Sequence, residues 1–399
     1  MINQPDFVKK AIEKLNADGF EAYAVGGCVR DSLMGRKPYD WDITTSASPI
    51  ETKAVFEGYK VVETGIKHGT VTVIIDHNPI EITTYRIDGD YKDSRRPEGV
   101  TFTRCLEEDL ARRDFTVNAM AYNSERGVVD LFGGESDLRA GLIRAVGEAE
   151  RRFDEDALRI MRAFRFVSKL GFDIEEKTLA AAKKCRFGLK NISQERKTAE
   201  LEGILLGNYA AKALMLMART NVLEIIASGV EFGGLDFDGL SKLPQDFALR
   251  IAFCLTRTEN YGNYISTLRL SNAVGMRARK LSEMCRKPLD VDTNPKLRRL
   301  MAEAGDDLEA LLLLKNALGE NVDGILSRAE KIRADRDCLF IKDLAIDGRD
   351  LAVIGARGRE VGEILDKLLA FVLEEPLNNQ RKLLLAEAEK LVGKAEKGE

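Results

Sequence analysis

The chain reads as an α/β head followed by a long all-helical arm, and three features of the sequence predict this. β-Branched runs such as Thr70–Ile75 and Ile80–Tyr85 alternate with helix-periodic segments through the first 145 residues. Beyond about Leu142 the strand signals fade and apolar residues recur at helical spacing almost to the C-terminus. The length of 399 residues exceeds one typical core, so about two to four domains are expected.

Residues 5–18 carry Phe7, Val8, Ile12 and Leu15 at helical spacing and predict a short amphipathic helix ending at Gly19. A strand follows at 21–25, then a tight turn at Val25-Gly26-Gly27, then a helix from Val29 to Gly35. The run Ile43-Thr44-Thr45 places the preceding Asp40-Trp41-Asp42 on or at the start of a strand. Alternation along that strand turns Asp40 and Asp42 to one face and Trp41 to the other. Ser48-Pro49-Ile50-Glu51 is a helix start, with Ser48 as cap, Pro49 first in the helix and Glu51 completing a capping box. Thr70–Ile75 and Ile80–Tyr85 predict a hairpin joined by Asp76-His77-Asn78-Pro79. Asp88–Thr101 is polar and glycine-containing and predicts an irregular, mobile loop.

Helices are then expected over 153–170, 175–186, 193–206 and 209–226. Breaks are expected at 228–239, 256–263 and 288–295, with further helices near 296–304, 307–318, 322–335, 350–355, 360–373 and 377–392.

A net charge of −4 and an isoelectric point near 5.7 give no global sign of a nucleic-acid partner. Local balance differs: Arg159–Lys197 holds eleven Lys/Arg against four Asp/Glu, and Arg269–Arg299 holds nine against three. Basic stretches in an acidic chain predict a surface polarised toward a polyanion, whereas solvated helix faces would leave it unpolarised. Six scattered cysteines with no C-x-x-C pair fit reduced thiols and no zinc site. Two histidines, His68 and His77, nearly exclude His-ligated metals and Ser-His-Asp chemistry, and His68 reads as structural. No signal-peptide pattern opens the chain, and no apolar run approaches the roughly 18 residues of a membrane helix, so a soluble, cytoplasmic protein with no membrane contact is expected.

The chemistry-bearing residues cluster in the head. Neighbouring carboxylates at Asp40 and Asp42 repel unless a cation neutralises them. Oxygen-only ligands suit Mg²⁺, and Mg²⁺ suits phosphates. Beside the Gly26-Gly27 turn, backbone N–H groups can approach a triphosphate, and Arg30 adds charge. If the strand bearing Glu81 lies beside that of Asp42, a third carboxylate reaches the pair, the donor set of two-metal nucleotidyl transfer; otherwise Glu81 is an exposed edge residue. In Arg112–Ala119, Arg113 and Asn118 suit phosphate and ribose contacts, or else a surface ion-pair network. On a helix, Asp156 and Arg159 are i, i+3 neighbours with Arg162 one turn on. A carboxylate beside a guanidinium can accept from cytosine N4 or adenine N6 and donate to cytosine N3/O2 or adenine N1. The plain alternative is a helix salt bridge.

Taken together, VGGCVRDSLMGRKPYDWDITTSASP, IEITTYR, DGDYKDSRRPEGVTF, RRDFTVNAMA, VVDLFGG, EDALRIMRAFRF and NISQERKTAEL resemble the bacterial class II tRNA nucleotidyltransferases and related poly(A) polymerases, in family order over about residues 20–205. The resemblance implies an α/β nucleotidyltransferase head (1–145) followed by an all-α neck (146–206), body (207–290) and tail (291–399). It implies Mg²⁺ on Asp40 and Asp42, with Glu81 as a further catalytic carboxylate. Asp156 and Arg159 would template incoming CTP and ATP. Gly27, Arg30, Arg113, Asn118, Arg162 and Arg165 would contact the nucleotide. Asp130, Gly133 and Gly134 match a hinge, and the helical arm would grip the acceptor stem and T arm of tRNA, with no protein partner implied. Within the family, CC-only enzymes tend to lack the flexible loop that is present here as D-G-D-Y-x-D-x-R-R-P, and poly(A) polymerases tend to differ in it, so addition of CCA to tRNA 3′ ends with release of pyrophosphate is expected. The alternatives are an A-only or CC-only enzyme, a poly(A) polymerase, and a non-catalytic RNA-binding or nucleotide-sensing protein of the same fold.

Overall fold

The structure, a computed structural model, describes residues 2–88, 91–92, 96–97, 100–226, 237–256 and 265–395. It divides into two compact units: the described residues of Met1–Ser241 with Arg257–Ser271, and those of Lys242–Thr256 with Asn272–Glu399.

The first unit opens with α1 (Asp6–Ala17), β1 (Ala22–Val25), α2 (Gly27–Leu33), β2 (Asp42–Thr45) and α3 (Pro49–Val55). Then come β3 (Lys60–Val62), β4 (Thr70–Ile75) and β5 (Asn78–Thr84), and further on β10 (Met120–Asn123) and β11 (Gly127–Asp130). These strands form one sheet in the order β11-β10-β1-β2-β5-β4-β3. Its one parallel pair is central: β2 lies beside β5 with Asp42 opposite Glu81. The α1 face packs Val8, Ile12 and Leu15 with Ile43, Val71, Val73 and Ile80 in the core. Trp41 joins that core at 8% exposure while Asp40 and Asp42 stay exposed, the alternation expected of the triplet. The Ser48–Glu51 capping box is present in both directions.

Three local expectations change. The β4–β5 hairpin closes on two residues, not four, because Asp76 and His77 both take positive φ (49° and 65°) while Ile75 already pairs with Asn78. Left-handed residues at both central positions are what a primed turn needs. Asp88–Thr101, expected to be irregular, contains paired strands: β6 (Arg86–Asp88) with β9 (Val100–Phe102), and β7 (Tyr91–Lys92) with β8 (Arg96–Pro97). Its remaining residues lie outside the described ones, and so does its expected mobility.

The third change falls on 153–170. After α4 (Leu106–Ala111) and α5 (Gly134–Ala140), the chain forms α6 (Ala149–Glu155) and α7 (Leu158–Leu170) as separate helices. Asp156 stands between them in extended conformation, φ −143° and ψ 103°. Its Oδ1 accepts from the Leu158 N–H at 3.0 Å, so the side chain caps α7 instead of continuing α6. Short parallel strands β12 (Leu142–Ile143) and β13 (Asp173–Ile174), also unexpected, tie this region to the head. The unit continues through α8 (Glu176–Cys185), α9 (Gln194–Leu205), α10 (Ala210–Arg219) and α11 (Val222–Ile226), the last two separated at Asn221 with φ 57°.

In the VVDLFGG stretch, Asp130 accepts from the Gly134 and Glu135 N–H groups, both at 2.8 Å, and so starts α5. A Cβ on Gly134 would stand 2.3 Å from the Thr116 carbonyl oxygen and 2.8 Å from Met120 Cγ. Gly134→Ala is therefore expected to lower stability by about 1–3 kcal/mol through overpacking, read from urea unfolding midpoints.

The second unit is helical throughout its described residues: α12 (Phe247–Leu255), α13 (Asn272–Arg286), α14 (Asn294–Ala304), α15 (Leu308–Ala317), α16 (Ile325–Ala334), α17 (Gly348–Val353), α18 (Arg359–Glu374) and α19 (Arg381–Ala395). Its C-terminal core gathers Ile346, Leu351, Ile364, Leu368, Val372 and Leu384. α12 and α13 were not legible as helices. All nine residues of α12 are buried, so it lacks a polar face to give it a period, and α13 reads first as a run of charge. The breaks expected at 228–239 and 256–263 fall mostly outside the described residues.

Candidate active site

Asp42 and Glu81 present carboxylates at the centre of the sheet, on the parallel β2–β5 pair, and Asp40 lies two residues before β2. Asp42 is exposed as a residue, yet its carboxyl is hemmed in. Loss of surrounding water, reinforced by the charges of Asp40 and Glu81, pushes its pKa from 3.8 up to about 6 against the pull of Arg113. Among the described residues, no group of three or more His, Cys, Asp or Glu side chains is preassembled to hold a metal ion. The arrangement is a pair of aspartates with a register partner on the next strand.

Arg113 stands between this pair and the glycine turn. Gly26 has φ 78°, and a Cβ there would lie 3.3 Å from Arg113 Nη1. Gly27 opens α2, with Arg30 one turn on and buried to 3% exposure. Arg30 donates to Asn118 Oδ1 at 2.6 Å and to Asp31 at 2.8 Å. Asn118 donates in turn to Asp114 Oδ1 at 3.4 Å, and Arg162 grips Asp114 Oδ2 through Nε at 2.8 Å and Nη2 at 2.7 Å. Burial works against ionisation of Asp114, but Arg162 and Arg159 hold its pKa below the ordinary carboxylate value. Phe166 lies between the guanidinium groups of Arg30 and Arg162, at 5.5 and 5.8 Å from its centroid. A hydrogen-bonded chain thus runs from the glycine turn to α7.

A second chain starts at the fully buried Asp109, which accepts from Thr44 Oγ1 at 3.0 Å, from Arg112 Nε and Nη2 at 3.0 and 2.8 Å, and from Arg113 Nη2 at 3.2 Å. The Arg112 carbonyl accepts from Arg159 Nη2 at 3.1 Å.

Asp156 and Arg159 are joined through the backbone, the Arg159 N–H donating to the Asp156 carbonyl at 3.0 Å, and each side chain has a further partner. Asp156 Oδ2 pairs with Arg196 at 2.9 Å, and Arg159 pairs with Glu155 at 2.7 Å. They are held by separate partners, Arg196 coming from the NISQERKTAEL stretch. Arg165 is half-exposed and pairs with Glu200 at 3.4 Å, a residue that Arg162 also approaches at 4.0 Å. The His68 backbone carbonyl accepts from Arg86 at 2.6 Å.

Sequence reasoning missed the carboxylates that hold these cations: Asp109, Asp114, Glu155 and Glu200. The i+3 and i+4 spacing of Asp109 to Arg112 and Arg113, and of Glu155 to Arg159, was visible. The Asp114–Arg162 pair, 48 residues apart, carries no local signal.

The Arg269–Arg299 excess is largely answered by acids from other segments. Arg277 pairs with Asp246 and Asp307, Lys287 with Glu303, Arg298 with Asp337, and Arg299 with Glu374. Among the described residues, no helix is long and apolar enough to cross a membrane.

Residues 22–144 match the family model of the poly(A) polymerase head domain, and 171–232 match that of the probable RNA- and SrmB-binding site of polymerase A. The chain is 37% identical to a CCA-adding enzyme of Pediococcus pentosaceus over 96% of its own length and 97% of that protein's. Its structure resembles the crystal structure of the Bacillus stearothermophilus CCA-adding enzyme in complex with CTP, at 32% identity and TM-score 0.81, covering 99% of this chain and 100% of that one. A tRNA nucleotidyltransferase complexed with a primer tRNA and an incoming ATP analog is similar at 25% identity and TM-score 0.64, over 82% and 99% of the two chains. The chain is therefore an enzyme that belongs to the CCA-adding tRNA nucleotidyltransferases of the poly(A) polymerase-head family.

Proposed function

We propose that this chain restores the 3′ end of tRNA by adding C, C and A from CTP and ATP, releasing one pyrophosphate per nucleotide. The observation that carries the reading is the convergence on α7 of two hydrogen-bonded chains, one from Thr44 of β2 through Asp109 and Arg112 to Arg159, the other from Arg30 of α2 through Asn118 and Asp114 to Arg162. Chemistry on phosphate and reading of a base edge then occur within one supported frame.

Asp40 and Asp42 would hold Mg²⁺, and the fit is physical. The donors are all oxygen, the charge is crowded enough to raise Asp42, and a two-carboxylate site leaves room for phosphate oxygens. Two ions there, with Glu81 assisting, would supply Lewis-acid stabilisation of the departing pyrophosphate and a more acidic attacking hydroxyl. The remaining work belongs to the chain. Gly27 lets the backbone approach the triphosphate. Arg30, Arg113 and Arg162 meet its charge, Asn118 reaches toward the ribose, and Arg165 lies one turn further along α7. Asp156 supplies an acceptor and Arg159 a donor to the base edge.

The division into head 1–145, neck 146–206, body 207–290 and tail 291–399 is part of the same reading, with body and tail gripping the acceptor stem and T arm. The relatives solved with CTP, and with primer tRNA and an ATP analog, support these substrates. Measuring pyrophosphate released per labelled nucleotide added, with Mg²⁺ and with a chelator, tests the chemistry. One-to-one release abolished by the chelator is expected, and addition without pyrophosphate would overturn it.

Affinity for tRNA is expected to fall as salt rises from about 50 to 200 mM, because Lys/Arg contacts to phosphate release counterions. Charge reversal at the exposed Arg279 should weaken tRNA binding and reduce the salt slope by about one, leaving ATP affinity unchanged. Fluorescence titration checks both, and salt-independent binding contradicts a phosphate-dominated interface.

A further inference from the structure

We propose that Phe187, with Arg186 and Lys190 against its ring, is a stacking platform for the unpaired 3′ nucleotides of the RNA primer; this rests on the function proposed above. Phe187 lies in a 3₁₀ turn, Arg186–Asn191, that directly follows α8. Leu189 and Ile192 anchor that stretch in the core at 0% and 3% exposure, yet Phe187 is 52% exposed. A single exposed aromatic is ordinary, but this one carries cations. The Arg186 guanidinium stands 4.2 Å from the ring centroid, and Lys190 Nζ stands 5.2 Å from it. Arg186 Nη1 also donates to the Lys183 carbonyl at 2.5 Å, which holds the guanidinium in place on the ring. An aromatic ring with a held guanidinium offers what an unpaired base takes: flat π surface beside positive charge.

Charge names the occupant. Residues 183–190 hold four cations, Lys183, Lys184, Arg186 and Lys190, and no acid. Glu150 of α6 answers Lys184 at 2.5 Å. Lys183 and Lys184 stand in the last turn of α8 and suit its dipole, but the dipole asks nothing of Phe187. A polyanion with open base faces uses both halves of the cluster, whereas in a duplex the bases are stacked on one another and closed to it. Position agrees with charge. A Cβ on Gly188 would lie 3.0 Å from Ala157 Cβ, so the turn packs on the residue that follows Asp156. Asp156 is where the incoming base is to be read. The primer's 3′ oxygen attacks the α-phosphate of that same nucleotide, so the last primer nucleotides lie beside this end of α7.

Three variants and two RNAs test the platform by fluorescence anisotropy. The probes are a tRNA ending in its first two cytidines, whose 3′ nucleotides are unpaired, and a blunt duplex of the same acceptor stem. Phe187→Leu keeps an apolar side chain and removes the π face. It is expected to bind the tRNA about tenfold more weakly, within the range of one lost base stack, with its salt slope unchanged. The blunt duplex should bind this variant and the parent within about twofold of each other. Phe187→Trp restores a ring face and should hold the tRNA as tightly as the parent. Arg186→Gln should weaken tRNA binding and lower the salt slope by about one. KM for CTP and ATP should match the parent in all three, and so should the thermal melts, because the ring is half-exposed. Equal tRNA affinity of Phe187→Leu and the parent would overturn the proposal. So would an equal loss on the blunt duplex, which would set the ring against the stem, or a Phe187→Trp as weak as Phe187→Leu. A parent protein that binds tRNA but fails to extend it would sink the proposed function instead.

Discussion

Asp42→Ala is expected to abolish addition of both C and A while the protein stays folded, and Asp40→Ala should do the same. Asp42 opens β2 and Asp40 lies two residues before it, both exposed and outside the core that Trp41 and Ile43 enter, so neither truncation opens a cavity. Electrostatics supports the separation of activity from folding. The pKa of Asp42 is raised from 3.8 to about 6, so in the absence of a divalent cation its charge opposes the folded state. The sign follows from proton linkage. Between those two pH values the folded state binds more protons than the unfolded one, and stability falls as pH rises through that window. In chelating buffer at pH 8, Asp42→Ala should therefore be at least as stable as the parent, with the difference vanishing near pH 4. Circular dichroism melts and a labelled-nucleotide assay check the two halves. More than a trace of Mg²⁺-dependent addition by either variant would refute the role. Glu81→Ala should be severe, because Glu81 pairs in register with Asp42, and wild-type rates there would make it a structural residue.

The second large effect concerns base choice. Under the proposed base reading, Arg159→Ala would remove the donor to cytosine N3/O2 and adenine N1, and Asp156→Ala the acceptor for their amino groups. A good bidentate base contact discriminates by about 1–3 kcal/mol, so misincorporation of UTP or GTP should rise roughly ten- to a hundredfold in each variant. The structure adds a condition. Asp156 pairs with Arg196 and Arg159 with Glu155, yet both are proposed to meet one base edge, so the two losses should be less than additive in the double variant. Competition among all four nucleotides measures both points. Slower addition with unchanged selectivity would place specificity elsewhere.

The head was largely legible because its signals are local. A period of two places Asp40 and Asp42 opposite Trp41, a serine three residues before a glutamate makes the cap at α3, and β-branched runs mark β2, β4 and β5. The placement of Glu81 was legible only as a condition, since no local pattern states which strands are neighbours. The parallel β2–β5 pair met that condition. Where the reading failed, a side chain competed with the backbone or a period was missing. Asp156 looked like a mid-helix residue, yet its carboxyl caps α7 and breaks the helix. α12 is buried on every side and shows no stripe. The two basic stretches showed charge but not its partners, because most of the acids that answer Arg277, Arg298 and Arg162 lie 30 or more residues away. The long-range ties that make a site of these residues, Asp114 to Arg162 and Arg112 to Arg159, exist only once the chain has folded.

The account is tested most directly by the product formed from a tRNA trimmed of its last three nucleotides and given Mg²⁺ with all four nucleotides, read by sequencing the 3′ end. Extension by C, C and A, followed by arrest, is the predicted result. Arrest after two cytidines, addition of A alone to a primer already ending in CC, a poly(A) tail, or no extension at all would each contradict it.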